Sequence, residues 1–135
     1  MPPGIAIILA AGEGRRLGPL TDKIPKCLLE LRGKTLLERV LESLFRFSIQ
    51  EVCLVTGHGA ERIDNLLPSM PGEGGIHLCH NQEFSRTNNA YSLWVSLQRH
   101  RSRSFLLLDG DLLFDPLLLK SLLEDNRENL LLADA

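Results

Sequence analysis

Neither sign of charge dominates this chain of 135 residues: 15 Lys and Arg face 17 Asp and Glu, for a formal net charge of -2. That balance argues against a nucleic-acid binder and against a polybasic membrane-surface protein, both of which concentrate Lys and Arg on one face. A membrane-spanning run is also missing. The N-terminal apolar stretch from Ile5 to Ala11 is too short to cross a bilayer and lacks the basic flank of a signal peptide. Cysteine is sparse. Cys27, Cys53 and Cys79 form an odd set with no C-x-x-C spacing, which fits a reduced, cytoplasmic setting with the thiols serving as small apolar core residues. The four histidines, His58, His77, His80 and His100, have no H-x-x-x-H spacing, so a zinc hydrolase is not expected. There is no internal repeat and no low-complexity segment.

What is present is the composition of one globular domain, 44% apolar and 24% charged, expected over residues 1–135 and long enough to bury about two-thirds of the surface of its unfolded chain. Apolar runs of strand length recur at Ile5 to Ala10, Glu51 to Thr56, Ile76 to His80 and Ser104 to Leu108, with a further candidate at Asn129 to Ala133. Continuous apolar runs predict strands covered on both faces. Between them, Thr35 and Glu38 stand in capping-box spacing ahead of Leu37, Val40, Leu41, Leu44 and Phe45 on one helical face. A shorter helix is expected from Ala60 to Leu67, stopped by Pro68. Asp115 and Pro116 open another that carries Leu118, Leu119, Leu122 and Leu123 inward. The alternation predicts an α/β fold: an open, mostly parallel, doubly wound Rossmann-like sheet with helices on both faces and ligands beyond the carboxyl ends of its strands.

The first strand runs into "LAAGEGRRLGPLTDKIPK", residues 9 to 26. Gly12 and Gly14 let backbone N–H groups converge on an anion, and Arg15, Arg16, Lys23 and Lys26 outnumber Glu13 and Asp22, which favours a polyphosphate. A Walker A loop is excluded because no Gly-Lys-Ser/Thr follows at the required distance. A dinucleotide fingerprint fits poorly, because the third glycine, Gly18, falls one place late and Pro19 follows it. The second long strand ends in Thr56 and Gly57, without an acidic residue to hold a ribose. A plain solvated turn remains the structural alternative.

After the fourth strand the chain reads "FLLLDGDLLFD". On an extended chain Asp109 and Asp111 share a face and together suit Mg²⁺, which prefers oxygen ligands and phosphates. A hairpin turning on Asp109-Gly110 is the competing reading. In "NNAYSLW", Asn88 or Asn89 is an N-cap for a helix to about Leu97 with Ala90, Leu93, Trp94 and Leu97 on its buried face. The tilt of helical side chains would gather Asn88, Asn89 and Ser92 at the helix mouth, where amides and hydroxyls can read a pyrimidine edge. Tyr91 and Trp94 could cage a quaternary ammonium, although a Trp on an apolar helix face is more often core.

The stretch "ILAAGEGRRLGPLTDKIPKCLL", residues 8 to 29, resembles the signature of the sugar-phosphate and alcohol-phosphate nucleotidyltransferases. "HNQEFSRTNNAYSLW" is similar to a segment of their phosphocholine cytidylyltransferase branch. The resemblance implies a nucleotide-diphospho-sugar transferase type of fold and a Mg²⁺-dependent attack by a phosphate or phosphonate oxygen on the α-phosphorus of CTP. It implies that Leu9, Ala10, Ala11, Gly12 and Glu13 lie near the nucleotide, that Gly14 and Arg16 grip the triphosphate, and that Lys26 neutralises the reacting phosphates. It further implies that Gly57, Asn81, Asn88, Asn89 and Ser92 line the nucleotide pocket, that Asp111 binds metal, and that Asp109 contacts ribose or water. Arg16 and Lys26 are then the catalytic candidates, with CTP and a small phosphorylated acceptor as partners. The chain is expected to be the N-terminal, nucleotide-binding part of a longer catalytic domain, with an open sheet edge at which copies could pair as a homodimer. Two further readings stand beside this one: a sugar-1-phosphate nucleotidyltransferase using dTTP or UTP, and a truncated, non-catalytic nucleotide-binding domain.

Overall fold

The computed structural model describes residues 3–101 and 103–133. Four strands form one parallel sheet: β1 (Ile5–Ala10), β4 (Glu51–Thr56), β5 (Ile76–His80) and β6 (Phe105–Asp109), in the order β5-β4-β1-β6. β1 lies between β4 and β6, with Ile5 opposite Glu51 on one side and opposite Phe105 on the other. Every β1 residue is buried, as its unbroken apolar run predicts.

Alternate β1 residues feed two separate cores. Ala6, Ile8 and Ala10 pack with Leu37, Val40, Leu41 and Leu44 of α1 (Leu36–Arg46), Ile63 of α2 (Ala60–Leu66) and Leu119 of α4 (Pro116–Glu124). Ile5, Ile7, Leu9 and Ala11 pack with Phe84 and with Leu93, Val95 and Leu97 of α3 (Asn89–Leu97). The doubly wound arrangement is therefore present, with each large buried aliphatic side chain contributing about 1.5–3 kcal/mol.

The helix starts follow their caps. Thr35 accepts from the Glu38 backbone N–H at 3.1 Å, and the Glu38 carboxylate accepts from the Thr35 N–H at 2.7 Å, closing the capping box of α1. Asp115 caps α4 through the Leu117 N–H, and Asn88 caps α3.

Several expectations need correction. The run at 129–133 forms no strand, and Leu131 is 89% exposed, so that stretch finds no partner on the sheet. The competing reading of a hairpin on Asp109-Gly110 is not met: the residues after the turn are not a strand, and Gly110 N–H donates to Leu9 O, holding the turn against β1. Leu118 faces outward at 45% exposure. Trp94, expected on the buried face of α3, is 53% exposed and stacks on Tyr91 at 5.3 Å, and Ala90 is exposed as well. The small polar residues Ser92 and Ser96 face the sheet instead. A short hairpin, β2 (Glu30–Leu31) with β3 (Lys34–Thr35), was not foreseen; Arg32 and Gly33, both at positive φ, make its turn.

Candidate functional site

The strand order reverses between β1 and β6, which places a crevice at their carboxyl ends. Two adjoining hollows occupy it. The larger, about 630 Å³, lies between Gly12–Arg15 of the glycine loop and the segment Phe84–Ala90 that leads into α3. The smaller, about 230 Å³, runs from Leu9, Ala10 and Gly12 to Lys26, Asp109 and Asp111. Gly12, Gly14 and Asn89 line both, so the two form one cleft. The larger hollow falls within the usual size range of small-molecule sites, about 300–1,000 Å³.

The glycine loop is fastened from behind. Gly14 takes φ +63°, and its carbonyl accepts from Thr21 Oγ1 at 2.6 Å. Thr21 is 1% exposed, and its own carbonyl accepts from His58 Nε2 at 2.8 Å. The His58 backbone N–H donates to Ala11 O. Next to it, a Cβ on Gly57 would stand 2.6 Å from Phe84 Cβ and 2.7 Å from Ala11 O. Gly57 thus supports the loop by close packing and does not line the cleft, because the space a side chain would need is filled.

Charge in the smaller hollow is unbalanced. Lys26 Nζ pairs with Asp111 at 2.5 Å. Asp109 sits close by, and burial together with the neighbouring Asp111 carboxylate lifts its pKa above the ordinary value, while Lys26 pulls the other way. Asp109 also accepts a long hydrogen bond, 3.4 Å, from the Asn89 amide. β6 ends at Asp109 and Asp111 belongs to the following turn, so the two carboxylates meet in the hollow without the shared strand face expected of them. Beneath them Cys27 is buried, and burial pushes its thiol up to about 12, which makes it an inert wall.

The amide wall divides into two classes. Asn88 Oδ1 accepts from the Ala90 and Tyr91 N–H groups while the residue borders the larger hollow. Asn81 and Ser92, both expected in the base pocket, do not reach it. Asn81 is 1% exposed, and its amide donates to Thr87 Oγ1 at 3.1 Å and to Ser92 Oγ at 3.0 Å. Its Oδ1 accepts from Glu83 N–H at 2.9 Å, so its hydrogen bonds are spent inside the wall. Ser92 is 2% exposed against it.

Leu9 and Ala10 border the smaller hollow, and Ala11 is buried just behind. Glu13 borders the larger hollow and is paired with Arg15, whose hydrogen bond holds the Glu13 carboxyl below its usual range. Arg16 is exposed on the 3₁₀ turn Arg15–Leu20 and lines neither hollow, whereas Arg15 does. Thr21, His58, Phe84 and Thr87 were not anticipated as parts of the site. The P-L-T of the first motif was the available signal for Thr21. The N-x-x-(aromatic) spacing from Asn81 to Phe84 was the available signal for Phe84.

Two carboxylates with open space before them suit Mg²⁺, which takes oxygen ligands and keeps sites free for phosphate and water. Burial first and the neighbouring Asp111 carboxylate second raise the pKa of Asp109, and a divalent cation would relieve the repulsion between the two carboxylates. No described helix is long and apolar enough to cross a membrane, and all three cysteines are free and buried.

Residues 6–133 match the model of the MobA-like NTP transferase domain. The chain is 35% identical to CMP-5'-(3-aminopropyl)phosphonate synthase of Streptomyces rubellomurinus over 89% of its own length and 19% of that protein. It is 33% identical to choline-phosphate cytidylyltransferase of Streptococcus pneumoniae over 81% of its length and 45% of that protein. Among solved structures, the inositol-1-phosphate CTP transferase from T. maritima superposes with a TM-score of 0.75 at 29% identity, covering 94% of this chain and 51% of that one. The chain thus spans about half or less of the length of each of these relatives.

Proposed function

We propose, from the premise that this chain belongs to the family of MobA-like NTP transferase domains, that its cleft transfers CMP from CTP to a small phosphorylated alcohol or aminoalkyl phosphonate. The observation that carries this reading is the meeting, in one cleft, of a backbone-lined glycine loop, the Lys26–Asp111–Asp109 group and the paired amides Asn88 and Asn89. The names of the relatives support the choice of CTP and of a phosphocholine-like or phosphonate acceptor.

In this reading the backbone N–H groups around Gly12 and Gly14 hold the triphosphate, and Lys26 turns from Asp111 toward the phosphates as they enter. Arg15 and Arg16 add charge from the loop. Asp109 and Asp111 would hold Mg²⁺, which supplies neutralisation of charge developing on the phosphates. The acceptor oxygen is already an anion, so no general base is needed. It bonds to the α-phosphorus as the bond to the bridging oxygen breaks, and pyrophosphate leaves with the electron pair. Catalysis then rests on alignment and charge. Asn88, with its Oδ1 committed to the helix cap, keeps its NH₂ for a carbonyl acceptor on a pyrimidine, and Asn89 stands beside it. The proposal includes residues 1–135 as one nucleotide-binding unit, a cytoplasmic setting and pairing of copies as a homodimer.

A second reading, sugar-1-phosphate nucleotidyltransfer with UTP or dTTP, is favoured by 31% identity to the bifunctional protein GlmU of Methanococcus aeolicus over 82% of this chain and 25% of that protein. It gains from the inward turn of Asn81 and Ser92, which removes two groups that had pointed to cytosine. Thermal unfolding with CTP, UTP, dTTP, ATP or GTP in the presence of Mg²⁺ separates the two. A tight ligand raises the melting point by mass action. CTP is expected to give the largest rise; a rise led by UTP or dTTP selects the second reading, and a response to ATP alone, or to no nucleotide, overturns both.

A further inference from the structure

On the other face of the sheet from α1, two thiols and an imidazole converge under α3. Cys53 on β4 is 0% exposed, Cys79 on β5 is 3% exposed, and His100 in the connection from α3 to β6 is 9% exposed. The Cys53 thiol donates to Cys79 Sγ at 3.0 Å, and a ring nitrogen of His100 lies with both sulfurs inside a sphere of mutual distances no greater than 4.8 Å. His100 Nε2 is buried and meets no hydrogen-bond partner among the described residues. A buried imidazole N–H or lone pair left unmatched costs about 1–3 kcal/mol. The cluster stands apart from the oxygen-lined hollow at Asp109 and Asp111, and the proposed transfer reaction makes no use of it.

We propose that Cys53, Cys79 and His100 form a structural site for a thiophilic divalent cation, zinc in type, that ties β4, β5 and the α3–β6 connection together.

The donor set decides the class. Thiolate sulfur and imidazole nitrogen suit zinc, whereas Mg²⁺ and Ca²⁺ require oxygen ligands. Two thiolates carry two negative charges, so a divalent ion gives a neutral group, the only charge state that the apolar surroundings of Ile7, Val55 and Leu93 accept cheaply. A monovalent copper ion would leave a net negative charge there. On binding, each thiol releases its proton to solvent and its sulfur donates a lone pair to the metal, with no change of oxidation state. Such a clip would fix the far end of α3 while its N-terminal end, with Asn88 and Asn89, forms the wall of the cleft.

The test uses the reduced, chelator-treated chain titrated with Zn²⁺ and, as a spectroscopic stand-in, Co²⁺. One equivalent of Co²⁺ is expected to produce thiolate-to-metal charge-transfer absorption, and Zn²⁺ to abolish it and raise the melting point. Cys79→Ala should remove the absorption. Because that buried change can harm folding, His100→Gln is measured beside it: it leaves both sulfurs in place and should weaken Co²⁺ binding about tenfold or more. Absence of the absorption in folded, reduced protein overturns the proposal. So does absorption that persists undiminished in both variants, which would place the metal elsewhere, and so does a sulfur pair that resists metal because it is already a disulfide after reductant is removed. None of these readouts depends on nucleotide, so their failure leaves the transferase reading intact.

Discussion

The two ends of the parallel sheet carry the same kinds of charged residue and use them differently. At the amino end, Arg103 just before β6 forks onto Glu51 at the start of β4, each of its two N–H groups 2.9 Å from a carboxylate oxygen. Because Ile5 is flanked by Glu51 and Phe105, this pair straps across the start of β1. Its charges are matched one to one and nothing is left over. At the carboxyl end, Lys26 faces two carboxylates, Asp109 and Asp111, and burial followed by the Asp111 charge raises the pKa of Asp109. Strand order makes the crevice at that end; unpaired charge makes it a site.

Substitution of Lys26 should break the comparison most sharply if it is wrong. Lys26→Ala removes a charged donor from the phosphates, and such hydrogen bonds are worth about 1.5–3 kcal/mol, or roughly 10- to 100-fold in CTP affinity. The melting point without ligand should hardly move, since the side chain is 40% exposed. Arg16→Ala, on the exposed turn, should lose less. Arg103→Gln should leave affinity unchanged, and equal losses at both ends, measured by calorimetric titration, would erase the distinction between them.

Gly57→Ala tests whether the cleft is built from behind. The added methyl meets Phe84 Cβ and the Ala11 carbonyl, and overpacking of this kind costs about 1–3 kcal/mol. Urea unfolding should show that loss with an unchanged m-value. A neutral result would mean that the loop does not rest on Gly57.

The amides sharpen the comparison within the carboxyl end itself. Asn81→Ala strands the buried hydroxyl of Ser92 and the Glu83 N–H, and unsatisfied groups of this sort cost about 1–3 kcal/mol. Its effect should appear in stability. Asn89→Ala, at the first turn of α3, leaves stability nearly unchanged and should lower CTP affinity about tenfold, the value of one modest hydrogen bond in the cleft. If Asn81→Ala weakens CTP binding while Asn89→Ala only destabilises, the roles assigned to the two are reversed.

Much of this was legible beforehand because the signals are local. A short apolar run with both parities filled and turn residues at its ends favours a buried strand, and β1, β4 and β5 have the predicted bounds. Thr35 with Glu38, Asp115 with Pro116, and Asn88 each satisfy orphan N–H groups within three residues, so the helix starts could be read off. Orientation was harder. Asn81, Ser92 and Asn88 have the same hydrogen-bonding vocabulary, and whether each is spent on the protein or left for a ligand depends on Thr87 and Glu83, which the chain brings round from a loop. Trp94 misled for a related reason: serines at 92 and 96 are small enough to let α3 approach the sheet closely, and the large ring is turned out. The hairpin of β2 and β3 has two residues per strand, too few for any periodicity to show.

The smallest expected effect lies at the closed end and depends on pH. Hydrogen bonding to Arg103 holds the Glu51 carboxyl below its ordinary value of 4.5, with burial opposing and His77 and His100 assisting. A depressed folded-state pKa contributes stability that is present above the unfolded value and is lost as pH falls through the folded one. Arg103→Gln should therefore lower the melting point slightly at neutral pH, and the gap from the parent chain should close as pH falls below about 4.5, where Glu51 protonates in the unfolded chain first. Both partners are partly exposed to solvent, so added salt should shrink the same gap by screening. Asp109 has the opposite sign, its pKa being raised: its ionised form opposes folding, and removing its charge in Asp109→Asn should help the ligand-free chain more at pH 7 than at pH 4. A parent-minus-variant difference that shrinks on acidification for Arg103→Gln, set beside a gain for Asp109→Asn that also fades on acidification, is what one matched and one unmatched end require. Loss of stability in both variants at neutral pH would mean that the carboxyl end is as fully paired as the amino end, and that the cleft carries no surplus charge for a cation to meet.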